Sequence, residues 1–496
     1  MSLDTQALMP YFIALPLTVS LLIQLLARRK AVLAGWFACL AMLALMLMSF
    51  SAALGLNGGE LIYNMGGWET PIGIDLRMDS LTVLMVLTIN TIGLAVVFYA
   101  VDYMRDFTAR SRFFSLFLLM VTGMNGVVMT GDLFNLYVFL EIAAIASYSL
   151  VAFGCDREGL EASFKYIVLG SVSSSLILIA LALMYGVTGA LNMAQVSTHV
   201  AETGMDAPLT LAFGLFICGF AFKAALVPFH AWLPDAHPAA PAPVSAMLSG
   251  VLIKAVGIYV LARLIFNVFG AGESELGLLR WLGVLSMVVG GLMATGQRDI
   301  KRLFAYSSIS QAGFMVLGLG LGTPLGIVGA LYHLVNHSMF KSLLFLNAGA
   351  VEYCTGTRRL DRLGGLNRAM PVTGATSLVG SMSIAGIPPF NGFWSKLIII
   401  LACVQAGYYG FATVAVLVSI VTLAYQLKVQ RGAFFAALPA GLKNIRREPK
   451  MMVLAMIVLA VGCIALSFLV VTGLSDPVLV GNAQDVLSSG TFGGGP

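Results

Sequence analysis

Long apolar runs separated by short polar breaks set the pattern of this chain. They fall at roughly 9–27, 31–54, 81–103, 112–130, 133–153, 164–187, 208–229, 242–268, 276–295, 303–321, 325–351, 371–402, 408–429 and 451–473. Most match the length needed to cross a bilayer as a helix, about 20 residues. The pattern therefore predicts an all-α integral membrane protein of about 14 transmembrane helices. The N-terminal "MSLDTQALMP" lacks a basic stretch and a small-residue cleavage site, so the first span is expected to stay in place.

Two runs carry a helix breaker close to a lysine. In "ICGFAFKAALVPFHAWLPDA", Ile217–Ala236, Pro228 follows shortly after Lys223; near residue 390 "GIPPFN" interrupts the twelfth run. Proline removes an N–H and clashes with the preceding turn, so helices 7 and 12 are expected to be discontinuous. Both neighbourhoods contain G-F-x-x-K, at Gly219–Lys223 and Gly392–Lys396, 173 residues and five spans apart. An odd number of spans per unit inverts the second unit, which predicts two inverted five-helix repeats, spans 4–8 and 9–13. The expected organisation is residues 1–111 (spans 1–3 with a polar extracytoplasmic loop), 112–270 (first repeat), 271–431 (second repeat) and 432–496 (last span and short tail).

Composition agrees with the membrane reading: 59% of the 496 residues are hydrophobic and 10% charged. A water-soluble domain carries about 25% charged residues. Of the 28 Lys and Arg residues, 21 fall in one set of alternate loops, including "ARRKA", "GQRDIKR" and "CTGTRRLDRLGGLNR". Basic loops face the cytoplasm. The opposite set contributes Arg77, Arg263 and Arg280, in or beside loops. Four lysines remain, all deep in apolar runs: Lys223, Lys254, Lys341 and Lys396. The net charge of +5 thus reports topology and gives no sign of nucleic-acid binding.

A charge at mid-bilayer costs about 2.5–3.5 kcal/mol on insertion scales, so these lysines call for an enclosed, partly hydrated path. The fifth run adds one acid, Glu141, which needs a cationic partner. Desolvation penalises an ammonium and a nearby carboxylate supports it, so changing their separation can switch a proton on or off. In "LYHLVNHSMFKSLLF", His333, His337 and Lys341 recur every fourth residue and stack on one helix face, as a proton relay requires. Simpler readings stand beside these: a static ion pair for Glu141, snorkelling for the lysines, helix-to-helix hydrogen bonds for the histidines. A zinc site at H-x-x-x-H lacks the glutamate of H-E-x-x-H and a third ligand. The six cysteines lie at least 49 residues apart, without metal-binding or redox spacing. Gly318, Gly320 and Gly322 do not fit a nucleotide-binding loop. No catalytic, cofactor or metal site is expected.

With "TGDLFNLYVFLEI", "HAWLPDAHPAAPAPVSAMLSGVLIK", "RDIKRLFAYSSISQAG" and "AGIPPFNGFWSK", the chain resembles the antiporter-like subunits of respiratory complex I, Mrp-type sodium/proton antiporters and membrane-bound hydrogenases. "GGWETPIGIDLRMDSLTVLM" and "TGALNMAQ" look most like the D-type subunit of Mrp antiporters and its hydrogenase counterparts. That resemblance implies a switching pair Glu141–Lys223, a central Lys254, a relay through His333, His337 and Lys341, and Lys396 in the second half-channel. Lys165 falls where the family often has a basic channel residue; an ordinary loop charge is the competing reading. Some complex I members carry Glu where this chain has Lys396, and the longest add a lateral helix, whereas about 23 residues follow the last span here. The implied partners are other membrane subunits of a hetero-oligomeric complex in a bacterial or archaeal cell membrane. The cargo is H+, with Na+ left open. The alternatives are the pump module of a redox enzyme and an autonomous solute symporter.

Overall fold

The computed structural model describes residues 5–26, 31–56, 59–270, 272–440, 442, 445–471 and 478–489. The "ARRKA" loop and the "SSGTFGGGP" tail lie mostly outside them. Among the described residues, eleven helices are long and apolar enough to cross a membrane, from Gln6–Leu26 to Lys450–Phe468. Two shorter apolar helices, Ala207–Lys223 and Asn391–Gln405, accompany them. The helix Pro324–Thr355 has 32 residues but a weaker apolar character, because His333, Asn336, His337, Lys341 and Asn347 lie along it. The fold is an all-helical membrane bundle.

Helix starts are written in the sequence. Asp79, Asp132, Asp156, Asp206, Asp299 and Thr323 each accept a backbone N–H of their own first turn through the side chain. Such caps satisfy donors that a membrane-embedded end cannot leave bare. One antiparallel hairpin, Leu61–Asn64 with Asp75–Met78, forms in the polar loop after the second span. Asn192 Nδ2 donates to Asp75 Oδ1 at 2.9 Å, tying the loop after Arg157–Thr188 to that hairpin.

Small residues let two helices touch backbone to backbone. A Cβ at Gly313 would lie 2.4 Å from the Gly283 carbonyl, so Glu273–Thr295 and Ile300–Gly320 pack at a distance only glycine permits. The span Ala242–Val268 is wholly buried in the bundle. Over Leu248–Tyr259 and again over Arg263–Val268 it is wound with the wide i→i+5 hydrogen bonds of a π-helix. Lys254 lies within the first stretch, and such widening, rare in helices, is frequent at functional sites.

Both runs that carry G-F-x-x-K beside a proline break, by the same device. Ala207–Lys223 closes with Ala225 in the left-handed region (φ 55°), with Ala225 N–H donating to the Phe222 carbonyl and Leu226 N–H to the Ala221 carbonyl. Pro371–Ala385 closes with Gly386 at φ 79°, with Gly386 N–H donating to the Ser383 carbonyl and Ile387 N–H to the Met382 carbonyl. These are Schellman closures, which turn the chain sharply out of the helix. In each the closure is followed by X-Pro and then Phe: Val227-Pro228-Phe229 and Pro388-Pro389-Phe390. The run 371–402, read in the sequence as one span, is thus two helices, Pro371–Ala385 and Asn391–Gln405.

A buried row of titratable side chains

Glu141 extends from the helix Leu133–Val151 towards Lys223, the last residue of its own helix. Their closest approach, Lys223 Nζ to Glu141 Oε1, is 3.9 Å, beyond a hydrogen bond. Ser174 of Arg157–Thr188 fills the gap: Lys223 Nζ donates to its hydroxyl at 3.1 Å, and the hydroxyl donates to Glu141 Oε1. Lys223 is buried, whereas 27% of the Glu141 side chain is exposed on the flank of the chain. Nothing in the sequence marks Ser174, since serine is unremarkable in an apolar helix.

Lys254 is fully buried and donates from Nζ to the Ser249 carbonyl. The Ser249 hydroxyl shares a 2.6 Å hydrogen bond with Ser308 of the neighbouring helix. Along Pro324–Thr355 the stripe His333, His337 and Lys341 is completely buried. The His333 and His337 rings stand 6.1 Å apart. His333 Nδ1 bonds to Ser395 Oγ at 2.9 Å, one residue from Lys396. Among the described residues, His333 Nε2, both His337 nitrogens and Lys341 Nζ have no hydrogen-bond partner. Lys341 Nζ lies 5.4 Å from the centre of the Phe304 ring and 5.7 Å from that of Phe345. Unpartnered polar atoms are costly in a dry interior, so each of these nitrogens calls for a partner beyond the described side chains.

Lys396 Nζ donates to the Ile384 carbonyl at 2.8 Å and lies 4.8 Å from the Phe314 ring centre. The G-F-x-x-K echo therefore does not put the two lysines in the same place. Lys223 precedes its break, whereas Lys396 follows its own. Matching Pro228 with Pro389 pairs Lys223 with Ile384, the residue whose carbonyl receives Lys396.

Lys165 stands apart from this row. Its side chain is 47% exposed and paired with Glu161 at 2.9 Å and Asp235 at 3.1 Å. Conversely, several charges grouped above with the loops are buried. Lys301 pairs with Glu352 at 2.7 Å and donates to the Ala240 carbonyl. Arg263 pairs with Asp79 at 2.6 Å, and Arg280 with Glu273. His237, also buried, has no partner on either ring nitrogen among the described residues and meets the Phe345 ring edge-on. The motif "DAHPAAPAP" carries no spacing that would mark it. No group of three His, Cys, Asp or Glu side chains clusters for metal binding among the described residues.

Residues 130–422 match the family described as NADH:quinone oxidoreductase/Mrp antiporter, TM. Residues 65–114 match the N-terminal region of chain 5 of NADH-ubiquinone oxidoreductase (complex I). The N-type subunit of NADH-quinone oxidoreductase from Desulforudis audaxviator is 36% identical over 92% of this chain and 94% of its own length. The D-type subunit of the Na(+)/H(+) antiporter from Alkalihalophilus pseudofirmus is 37% identical over 80% of each chain. Among solved structures, a chain of the Mrp complex from Dietzia sp. superposes with a TM-score of 0.91 at 28% identity, covering 98% of both chains.

Proposed function

The chain belongs to the NADH:quinone oxidoreductase/Mrp antiporter membrane family, and from that premise we propose that it is the proton-translocating, antiporter-like subunit of a multisubunit membrane complex. The observation that carries this reading is the Glu141–Ser174–Lys223 link, an acid and a base joined through one hydroxyl inside the membrane. Protons would pass from this pair to Lys254, along the Lys341–His337–His333 stripe and to Lys396. Each site accepts one proton and hands one on. The unpartnered nitrogens of the stripe support that order, because a relay needs donors and acceptors free to exchange.

The finer architecture belongs to the same proposal: 14 spans, with spans 4–8 and 9–13 as inverted repeats within residues 112–270 and 271–431. The two Schellman closures followed by X-Pro-Phe support it, since each falls at the same point of its unit. Residues 1–111 and 432–496 would flank the repeats. The chain would work in a bacterial or archaeal cell membrane beside other membrane subunits, as the D-type component of an Mrp-type cation/proton antiporter.

A second reading, the proton-pumping subunit of a redox-driven complex, is favoured by the NADH-quinone oxidoreductase relative, which matches nearly the full length of both chains. Small hydrophobic partners co-purifying with the chain from native membranes support the antiporter; iron–sulfur or nickel–iron subunits support the pump. In either complex Lys223→Ala and Glu141→Ala abolish formation of a pH gradient in membrane vesicles while the folded chain is retained. Full transport by both variants would remove the pair from the path.

A further inference from the structure

A second file of buried polar side chains runs beside the row described above and is used by none of its steps. On the helix Pro371–Ala385, Thr373, Ser377 and Ser381 recur every fourth residue on one face, and all three are buried. Facing them from the end of Tyr409–Val429 and the wide turn that follows are Gln426 and Gln430, 0% and 2% exposed. Gln430 Nε2 donates to Ser377 Oγ at 2.9 Å and to Ser381 Oγ at 2.8 Å. Ser381 in turn donates to Gln426 Oε1 at 3.2 Å. At one end Thr373 donates to the Glu448 carboxylate, in the basic loop expected to face the cytoplasm. At the other, one turn beyond Ser381, the Ile384 carbonyl accepts from Lys396.

Two features separate this file from an ordinary packing seam. Gln426 Nε2 and Gln430 Oε1 are buried and have no hydrogen-bond partner among the described residues, which a dry seam does not tolerate cheaply. Burial also pushes the Glu448 carboxyl above its ordinary range, so it exchanges protons closer to neutral pH than a surface glutamate does.

Resting on the proposed proton-carrying role, we infer that the Thr373–Ser377–Ser381 face with Gln426 and Gln430 is a hydrated proton inlet joining the cytoplasmic surface at Glu448 to Lys396. Each hydroxyl or intervening water accepts one proton on one side and releases one on the other, so no group in the file is changed by a transfer. Lys396 then has a second source of protons, at the cytoplasmic surface, besides the row that begins at the Glu141–Lys223 pair.

The test uses the whole complex in its native membrane, with the two native cysteines that are not buried, Cys155 and Cys218, replaced by serine. Ser381→Cys, or Ser377→Cys should the first fail to assemble, is exposed to a membrane-impermeant cationic thiol reagent from either side. Labelling from the side bearing the basic loops is expected. No labelling, or labelling from the opposite side alone, overturns the inlet. In parallel, Ser381→Val is expected to slow proton transport about tenfold, one step of about 1.4 kcal/mol, and Ser381→Thr to restore it. Labelling together with unchanged transport by Ser381→Val also overturns it. If the unaltered complex moves no protons, the transport reading fails instead, while labelling still reports whether water enters the file.

Discussion

Replacing Ser174 probes the link between Glu141 and Lys223 without removing either charge. At their separation of 3.9 Å, and an effective dielectric of about 20, the two ions attract by about 4 kcal/mol. That attraction survives the loss of a hydroxyl, so Ser174→Ala retains a paired, folded site. What disappears is the bridge, made of two hydrogen bonds to charged groups at about 1.5–3 kcal/mol each. A water occupying the vacated space replaces part of this, leaving a deficit near the lower figure and a transport rate reduced about tenfold. Ser174→Val fills the space with methyl groups and admits no substitute; its transport should fall at least another tenfold. Ser174→Thr keeps the hydroxyl and should stay close to the unaltered chain. The assay is pH-gradient formation in inverted vesicles, normalised to the amount of assembled complex. Unimpaired transport by Ser174→Val refutes the bridge, and with it the use of this hydroxyl for proton exchange between Glu141 and Lys223.

Three further outcomes are expected. Glu352→Ala strands the buried Lys301 ammonium and should destabilise the chain by about 3–5 kcal/mol, seen as a lowered thermal midpoint of the purified complex. Gly386→Ala places a Cβ in the left-handed region at 3.0 Å from Lys396 Cδ; it should cost about 1–2 kcal/mol by the same measurement and depress transport with it. Lys165→Ala removes a half-exposed ammonium held by two surface carboxylates, and vesicle transport should remain near that of the unaltered chain.

What could be read from the residues was set by contrast. Four lysines and one glutamate stand out in apolar runs because each violates its surroundings, and the structure buries all four lysines. Lys301 escaped notice because "RDIKR" has the composition of a loop, although its helix begins at Ile300 and carries the side chain inward. Ser174, Ser377 and Ser381 were invisible for the opposite reason. A serine in a membrane helix satisfies itself against its own backbone often enough that its identity says nothing about its neighbours. Prolines announced both helix breaks, but which side of each break supplies the charge depends on tertiary packing. A five-letter match could not carry that information.

The paired closures bear on how the two halves of such a chain should be compared. Lining up the lysines sets the halves 173 residues apart; lining up the turns sets them 161 apart, a discrepancy of about three helical turns. Under the second alignment what recurs is a seat beside an interrupted helix, occupied by Lys223 from its own helix and by Lys396 from the next. A cation delivered to a fixed seat from either chain direction leaves the seat, and not the residue that fills it, as the recurring feature. Exchanging the donor, by Ile384→Lys together with Lys396→Ile, would ask whether the second half accepts the first half's wiring.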